Sequence, residues 1–242
     1  MIKKYYILYF ILIAGLFCAS QSIAVVSKTK GDVKYKKKTD KESVVSLKSG
    51  IDLYNNDHIR TGKDGFAKYV YLDDGTQIKV HNNSEVFIRG EIDRRSIIKQ
   101  LKVEEGTVKL DIKKQTADEF TVITPTSVAS VKGTSFWLDC SGSGGDKFYG
   151  ESGIVSIQNR ESGQKKSLVK NTVANSLPDG TINIRKMTQN ELNMLEKIED
   201  ETGESQNNND GTGENGQNQD NEIIIELEDA SGNQKTIVIK IK

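Results

Sequence analysis

The chain has 242 residues, of which 34 are basic, 34 acidic and 35% apolar. It holds only 2 cysteines, 2 histidines and 1 tryptophan, which excludes zinc ribbons, histidine metal cages, CxxC redox sites and disulfide frameworks. No cofactor or metal is expected, and 21 glycines against 2 prolines point to tight turns between extended segments.

Lys3 and Lys4 precede an unbroken apolar and aromatic run from Tyr5 to Phe17, and Ser22-Ile23-Ala24 puts a small residue at both positions a signal peptidase reads. This layout predicts a secretory signal peptide over residues 1–24, with cleavage near Ala24. The run falls short of the ~20 residues that span a bilayer as a helix. The mature chain is therefore expected to lack a membrane span and to lie in the periplasm or at the cell surface. Bulky Phe17 ahead of Cys18 argues against a lipoprotein. Losing Cys18 leaves Cys140 as the only thiol, expected to be buried and inert.

Charge divides the chain beyond residue 24 into two parts. Residues 25–186 carry 28 Lys and Arg against 21 Asp and Glu, whereas residues 187–242 carry 4 against 13. The basic surplus is scattered, and the one dense run, Lys36-Lys37-Lys38, lacks neighbouring aromatics. It reads as a solvated face, so no nucleic-acid partner is expected.

From Gly31 onward apolar residues alternate in short bursts: Val33 and Tyr35, Ile78 and Val80, Val86 and Ile88, Val108 with Leu110 and Ile112, Phe120 and Val122. Asn55-Asn56-Asp57, Asp73-Asp74-Gly75 and Asn82-Asn83 separate them as turn signals. The body over residues 25–186 is predicted to be all-β. Glycine opens several of its strands at unequal spacing, which suits an irregular β-solenoid or β-roll, with a β-sandwich as the alternative.

The order of motifs resembles the FecR domain, a periplasmic β module known from iron-transport signalling. Leu47-x-x-Gly50-x-x-Leu53 followed by Asp57-x-Ile59-Arg60-Thr61-Gly62 is similar to its opening, and Leu72-Asp73-Asp74-Gly75-Thr76 to the hairpin that follows. Glu105-Gly106-Thr107-Val108 resembles the start of a family strand. Phe120-x-Val122-x-Thr124-Pro125 with Val131-Lys132-Gly133-Thr134-x-Phe136 resembles its most distinctive stretch, and Glu151-x-Gly153-x-Val155 its closing strand. The resemblance runs over about residues 31–158 and implies a β module that works through protein contacts. Gly50, Thr61, Gly62, Asp74, Gly75, Gly106, Thr124, Pro125, Gly133, Thr134, Phe136 and Gly153 are expected to be architectural: turns, close backbone approach, corner hydrogen bonds and core. Pro125 would stop ladder pairing at a strand start. Phe136 and Leu138 would face the core, leaving Trp137 on the other face, against the tail. Anti-sigma relatives resemble one another in a cytoplasmic segment ahead of the membrane. Four residues before the apolar run leave no room for one, so no sigma-factor partner is expected.

In the tail, Thr188-Gln189-Asn190-Glu191 reads as a capping box ahead of Leu192, Leu195 and Ile198. It predicts a short helix within residues 187–202. Residues 203–221 have no apolar side chain and are expected to form a flexible acidic linker. Residues 222–242 read as a β-hairpin around Asp229-Ala230-Ser231-Gly232-Asn233, too small to stand alone and expected to dock on its own body or on a partner's sheet edge.

Neither His58 nor His81 is paired in sequence with a nucleophile, and no GxSxG elbow is present. The chain is expected not to be an enzyme. The reading is an exported, non-enzymatic protein-binding, scaffold or sensory module of the cell envelope, whose partner is an unknown envelope protein met through sheet-edge or tail hairpin contacts. The alternative is a carbohydrate-binding or carbohydrate-active solenoid, with Trp137 stacking on glycan.

Overall fold

The computed structural model describes residues 21–38, 44–94, 96–115, 118–140, 142–202, 222–228 and 234–240. The expected linker 203–221, the expected hairpin turn 229–233 and the apolar run of the expected leader lie outside the described residues. In chain order the first strands are β1 (Ala24–Lys30), β2 (Val33–Lys36), β3 (Val45–Ser46), β4 (Asp52–Leu53), β5 (Asp57–Thr61), β6 (Phe66–Tyr71) and β7 (Gln77–Val80). They are followed by β8 (Glu85–Asp93), β9 (Ser96–Glu105), β10 (Thr107–Ile112), β11 (Phe120–Ile123), β12 (Ser127–Val131) and β13 (Thr134–Asp139). The rest are β14 (Asp146–Ser152), β15 (Ile154–Asn159), β16 (Lys165–Val169), β17 (Thr172–Ser176), β18 (Ile182–Lys186), the helix α1 (Gln189–Glu201), β19 (Glu222–Glu228) and β20 (Gln234–Lys240).

The protein is all-β apart from α1, and its strands form two sheets. The larger runs β18-β17-β14-β13-β10-β7-β6-β1-β19-β20, with β4 also on β1; the smaller runs β16-β15-β12-β11-β9-β8-β5-β2-β3. Neighbours are antiparallel except β1 beside β19 and β9 beside β11. The chain advances along both sheets together, so each return to a sheet adds strands beyond those already laid down.

Alternation of apolar and polar residues produces this packing. On β15, Val155 and Ile157 are buried while Ile154, Ser156 and Gln158 are exposed. The buried sets of both sheets meet in one apolar core that includes Tyr69, Tyr71, Leu101, Phe120, Phe136 and Phe148. Each such side chain contributes roughly 1.5–3 kcal/mol of transfer free energy. Ile23 and Ala24, at the end of the expected leader, belong to this core, at 1% and 0% exposure. Corners between sheets depend on residues that tolerate positive φ, such as Asn83 at 50° and Gly106 at 97°. Pro125 lies in the link between β11 and β12, two residues before the strand start expected for it. The tail hairpin extends the larger sheet: β19 lies parallel to β1, with Lys28 opposite Glu228. Among the described residues, no helix is long and apolar enough to cross a membrane.

Candidate interaction face beneath the C-terminal helix

Helix α1 begins where the sequence supplies donors and acceptors for its first turn. Thr188 caps the amide of Glu191, and the Glu191 carboxylate accepts from the Thr188 amide at 2.9 Å. Arg185 on β18 grips Glu191 with both guanidinium nitrogens, at 2.7 and 2.8 Å. That pairing holds the Glu191 carboxyl down at about 2, helped by the Thr188 bonds. The helix is thereby folded back onto the outer face of the larger sheet. Leu195, flanked by Ile198 and Met187, packs there against Trp137, Tyr149 and Val173.

The face beneath it is one cross-strand row. Lys28 stands opposite Lys68, Lys68 opposite Lys79, and Lys79 opposite Lys109. The row continues through Trp137, Tyr149 and Val173 to Arg185. Like charges directly opposite each other on a sheet are destabilising, and Lys79 and Lys109 are buried, at 7% and 4% exposure. Glu199, one turn beyond Leu195 on the same side of the helix, answers them: it pairs with Lys79 and lies 3.6 Å from Lys109. Lys109 also meets Glu151 at 3.3 Å and sits 5.3 Å over the Trp137 ring. The His81 ring lies 4.9 Å from that of Trp137. Burial, with the charge of Asp139, pushes Tyr149 up to about 12. A cleft of about 440 Å³ opens along the helix edge between Lys109, Glu151, Lys170 and Asp200. Trp137 is only 3% exposed under this roof, so its ring is not presented as a stacking platform for glycan.

The twelve family-motif residues do not converge on this face. Several make corners. Thr61 donates to His81 O at 2.5 Å and accepts from the Ser84 amide at 2.9 Å, and the Gly62 amide donates to Asp32 O at 2.8 Å. Gly50 donates to Val26 O at 2.8 Å, and Gly75 to Tyr71 O at 3.1 Å. A Cβ on Gly106 would sit 2.2 Å from Ser84 Oγ, and one on Gly153 2.5 Å from Thr134 Cγ2. Gly133 has φ of 150°, near the edge of the region L residues rarely adopt. Phe136 is fully buried and stacks on Phe148 at 6.5 Å. Pro125 accepts from Arg160 through its carbonyl at 3.2 Å.

Two motif residues anchor buried polar clusters. Burial pushes Asp74 up, but bonds from the Thr76 amide, Gln115 and Lys99 overcome this and hold its carboxyl below the ordinary value. Lys99 also donates to Asp73 at 2.6 Å. Thr124 donates to Asp146 at 2.5 Å, and Thr126 gives the same carboxylate its amide at 2.8 Å and its hydroxyl at 2.5 Å. Nothing local in the sequence marks Asp146, Lys79 or Lys109 as members of these clusters. The helical spacing of Leu195 and Glu199 was a readable signal; the pairing of β7 with β10 was not.

No acid–base constellation is assembled from the histidines. His58 lies on the smaller sheet, 2.9 Å from Glu85 and stacked on Phe87 at 4.4 Å, whereas His81 follows β7 on the larger sheet. Burial pushes the Cys140 thiol far up, with Asp146 and Asp139 adding to it, the reverse of an activated thiolate. Among the described residues, no group of three His, Cys, Asp or Glu could hold a metal ion.

With this geometry in place, comparison with known proteins finds a family match: residues 57–147 match the family model "FecR protein". The match runs from β5 to the start of β14. It is narrower than the 31–158 resemblance and leaves Gly50 and Gly153 outside. Two crystal structures of a proposed anti-sigma factor from Parabacteroides distasonis, at 2.50 and 1.65 Å, are similar at 18% identity, with TM-scores of 0.48 and 0.47. The alignments cover 57% of this chain and 64% of that one, so the chain spans less than two thirds of the protein it matches. No curated protein matches the chain.

Proposed function

We propose that this chain is an exported, non-enzymatic FecR-domain module of the cell envelope that acts by binding a partner protein at its sheet edges. The observation that carries the reading is β19 beside β1: the edge of the larger sheet accepts an added strand, the contact that strand addition to a partner would use. The FecR domain itself favours a sensory or scaffold role over catalysis, and the separation of His58, His81 and Cys140 argues the same way. Stepwise advance of the chain along both sheets favours a β-roll over a sandwich of independent sheets. In this reading the motif glycines and threonines are architectural. The chain divides into a leader, a β body to residue 186, the helical clamp, an acidic linker and an edge-docking hairpin.

Among the described residues, the edge strands at the far end are β16 and β18. The test places a photocrosslinking residue at Lys166 on β16 or Ile184 on β18 in intact cells, with Arg94 in the β8–β9 turn as control. Reproducible adducts to one envelope protein from the edge positions and not from Arg94 are expected. Equal labelling at all three, no adduct at any, or a chain retained in the cytoplasm would overturn the reading.

A further inference from the structure

Resting on that export reading, we infer that the leader is cut at the Ser20–Gln21 bond, four residues ahead of the Ala24 position the small-residue pattern first suggests. The reason is that residues 23 and 24 belong to the folded body. Ile23 is 1% exposed and Ala24 is fully buried. The Ile23 amide donates to Leu53 O at 2.9 Å, and its carbonyl accepts from the Leu72 amide at 3.1 Å. Ala24 is paired on both sides, with Leu53 of β4 and Tyr71 of β6. The Ile23 side chain fills the space over Gly90, where a Cβ would come within 2.9 Å of its Cδ1.

A cut after Ala24 removes that side chain and strips Leu53 O and the Leu72 amide of their partners. It also creates an α-ammonium on Val25, which is 6% exposed and paired between Asp52 and Val70. An ion placed there loses most of its water inside a paired strand, a costly placement in a folded chain that the exposed Asp52 opposite it offsets only in part. A cut after Ser22 puts the same ammonium on buried Ile23. Gln21 is exposed and Ser22 half-buried, so Gln21 is the last residue before the body whose amine stays in water.

The leader's own chemistry agrees. Cys18-Ala19-Ser20 follows directly on the apolar run and offers a small residue at both positions read by the peptidase. A cut after Ala19 would set Phe17 at the outer of those positions. In the reaction, water adds across the Ser20–Gln21 peptide bond: hydroxyl to the Ser20 carbonyl carbon, a proton to the Gln21 nitrogen.

The test expresses the full chain in a secreting bacterium and identifies the N-terminal peptide of extracytoplasmic protein by mass spectrometry, which also detects Gln21 cyclised with loss of ammonia. A start at Gln21 is expected. A start at Ile23 or Val25 overturns the inference while leaving export standing; a chain that keeps residues 1–20 overturns the export reading and the inference with it. The Ser20→Phe variant gives a second readout independent of fold. It blocks cleavage after Ser20 and after Ser22, but leaves Ser22-Ile23-Ala24 intact. Processing should fall at least tenfold, and unchanged processing would refute the assignment.

Discussion

Replacing Glu199 by alanine should release the helix from the sheet while leaving the sheet folded. The carboxylate is shared by Lys79 and Lys109, both under 8% exposed. Removing one partner of a buried ion pair costs about 3–5 kcal/mol. Lys109 keeps Glu151 at 3.3 Å, so the lower end applies here, about 3 kcal/mol or roughly a hundredfold in the docking equilibrium. Apolar contact opposes release mainly through Leu195, which is worth roughly 1.5–3 kcal/mol when buried. The two contributions are of similar size, so losing one leaves the helix undocked for a substantial fraction of the time. Trp137 is the single tryptophan and lies directly under the helix, so its fluorescence reports this event alone. Glu199→Ala should red-shift the emission and raise acrylamide quenching severalfold, with little change in far-ultraviolet strand signal. Glu196→Ala, at an exposed position on the same helix, should do neither. The double change Lys79→Met with Glu199→Leu should restore protection, because a buried ion pair replaced by apolar groups is often neutral or stabilising. Quenching of Glu199→Ala indistinguishable from wild type, with stability within about 0.5 kcal/mol, would refute the role given to this carboxylate.

Gly106→Ala should destabilise by more than about 1 kcal/mol, since φ of 97° and a Cβ 2.4 Å from Ser84 Cα leave no relaxed position; urea unfolding measures this. Asp146→Ala removes the acceptor for three donors from Thr124 and Thr126. It should cost roughly 2–4 kcal/mol, judged from buried bonds to a charged group, whereas Asp146→Asn should recover part of the loss. Acid should weaken the helix clamp with a defined sign. The Glu191 carboxyl is depressed to about 2 in the folded chain from its ordinary 4.5, so its stabilisation is complete above 4.5 and lost as pH falls through about 2. Trp137 quenching should rise across that window, and Arg185→Gln should weaken that dependence by removing the part carried by Glu191; a pH-independent wild-type signal would contradict it.

The elements that sequence revealed are those set by local rules. Alternation at Val155 and Ile157, the turn at Asp73-Asp74-Gly75 and the capping box at Thr188 each depend on neighbours within a few residues. Phe136 and Trp137 separate onto opposite faces for the same reason. What stayed hidden is set by pairing over distance. The lysine row exists because β1, β6, β7 and β10 are neighbours in a particular register, and no periodicity within one strand encodes that. Asp146 reads as a loop acid until Thr124, 22 residues earlier, is folded against it. The inferred leader boundary would show the same limit. Ser22-Ile23-Ala24 satisfies a local pattern for cleavage, but Leu53 and Tyr71 claim Ala24 for the sheet.

The position of the clamp helix also bears on where a partner can bind. Its apolar stripe and Glu199 already occupy the aromatic and basic stretch of the outer face, leaving Trp137 at 3% exposure. Any contact there must first displace a segment fixed to β18 by the two-nitrogen Arg185–Glu191 bridge. At the β1 end the tail hairpin takes the edge. Among the described residues, β16 and β18 are the edge strands of the opposite end, and beside β16 an exposed apolar pair, Ile154 at 62% and Val169 at 43%, stands in direct register. Lys165 and Lys166 on β16 discourage casual edge-to-edge association while leaving the backbone ladder available to a strand carrying acidic side chains. Under the proposed edge-binding reading, the edge, and not the helix-covered face, is where a partner would gain backbone hydrogen bonds without first breaking buried ion pairs.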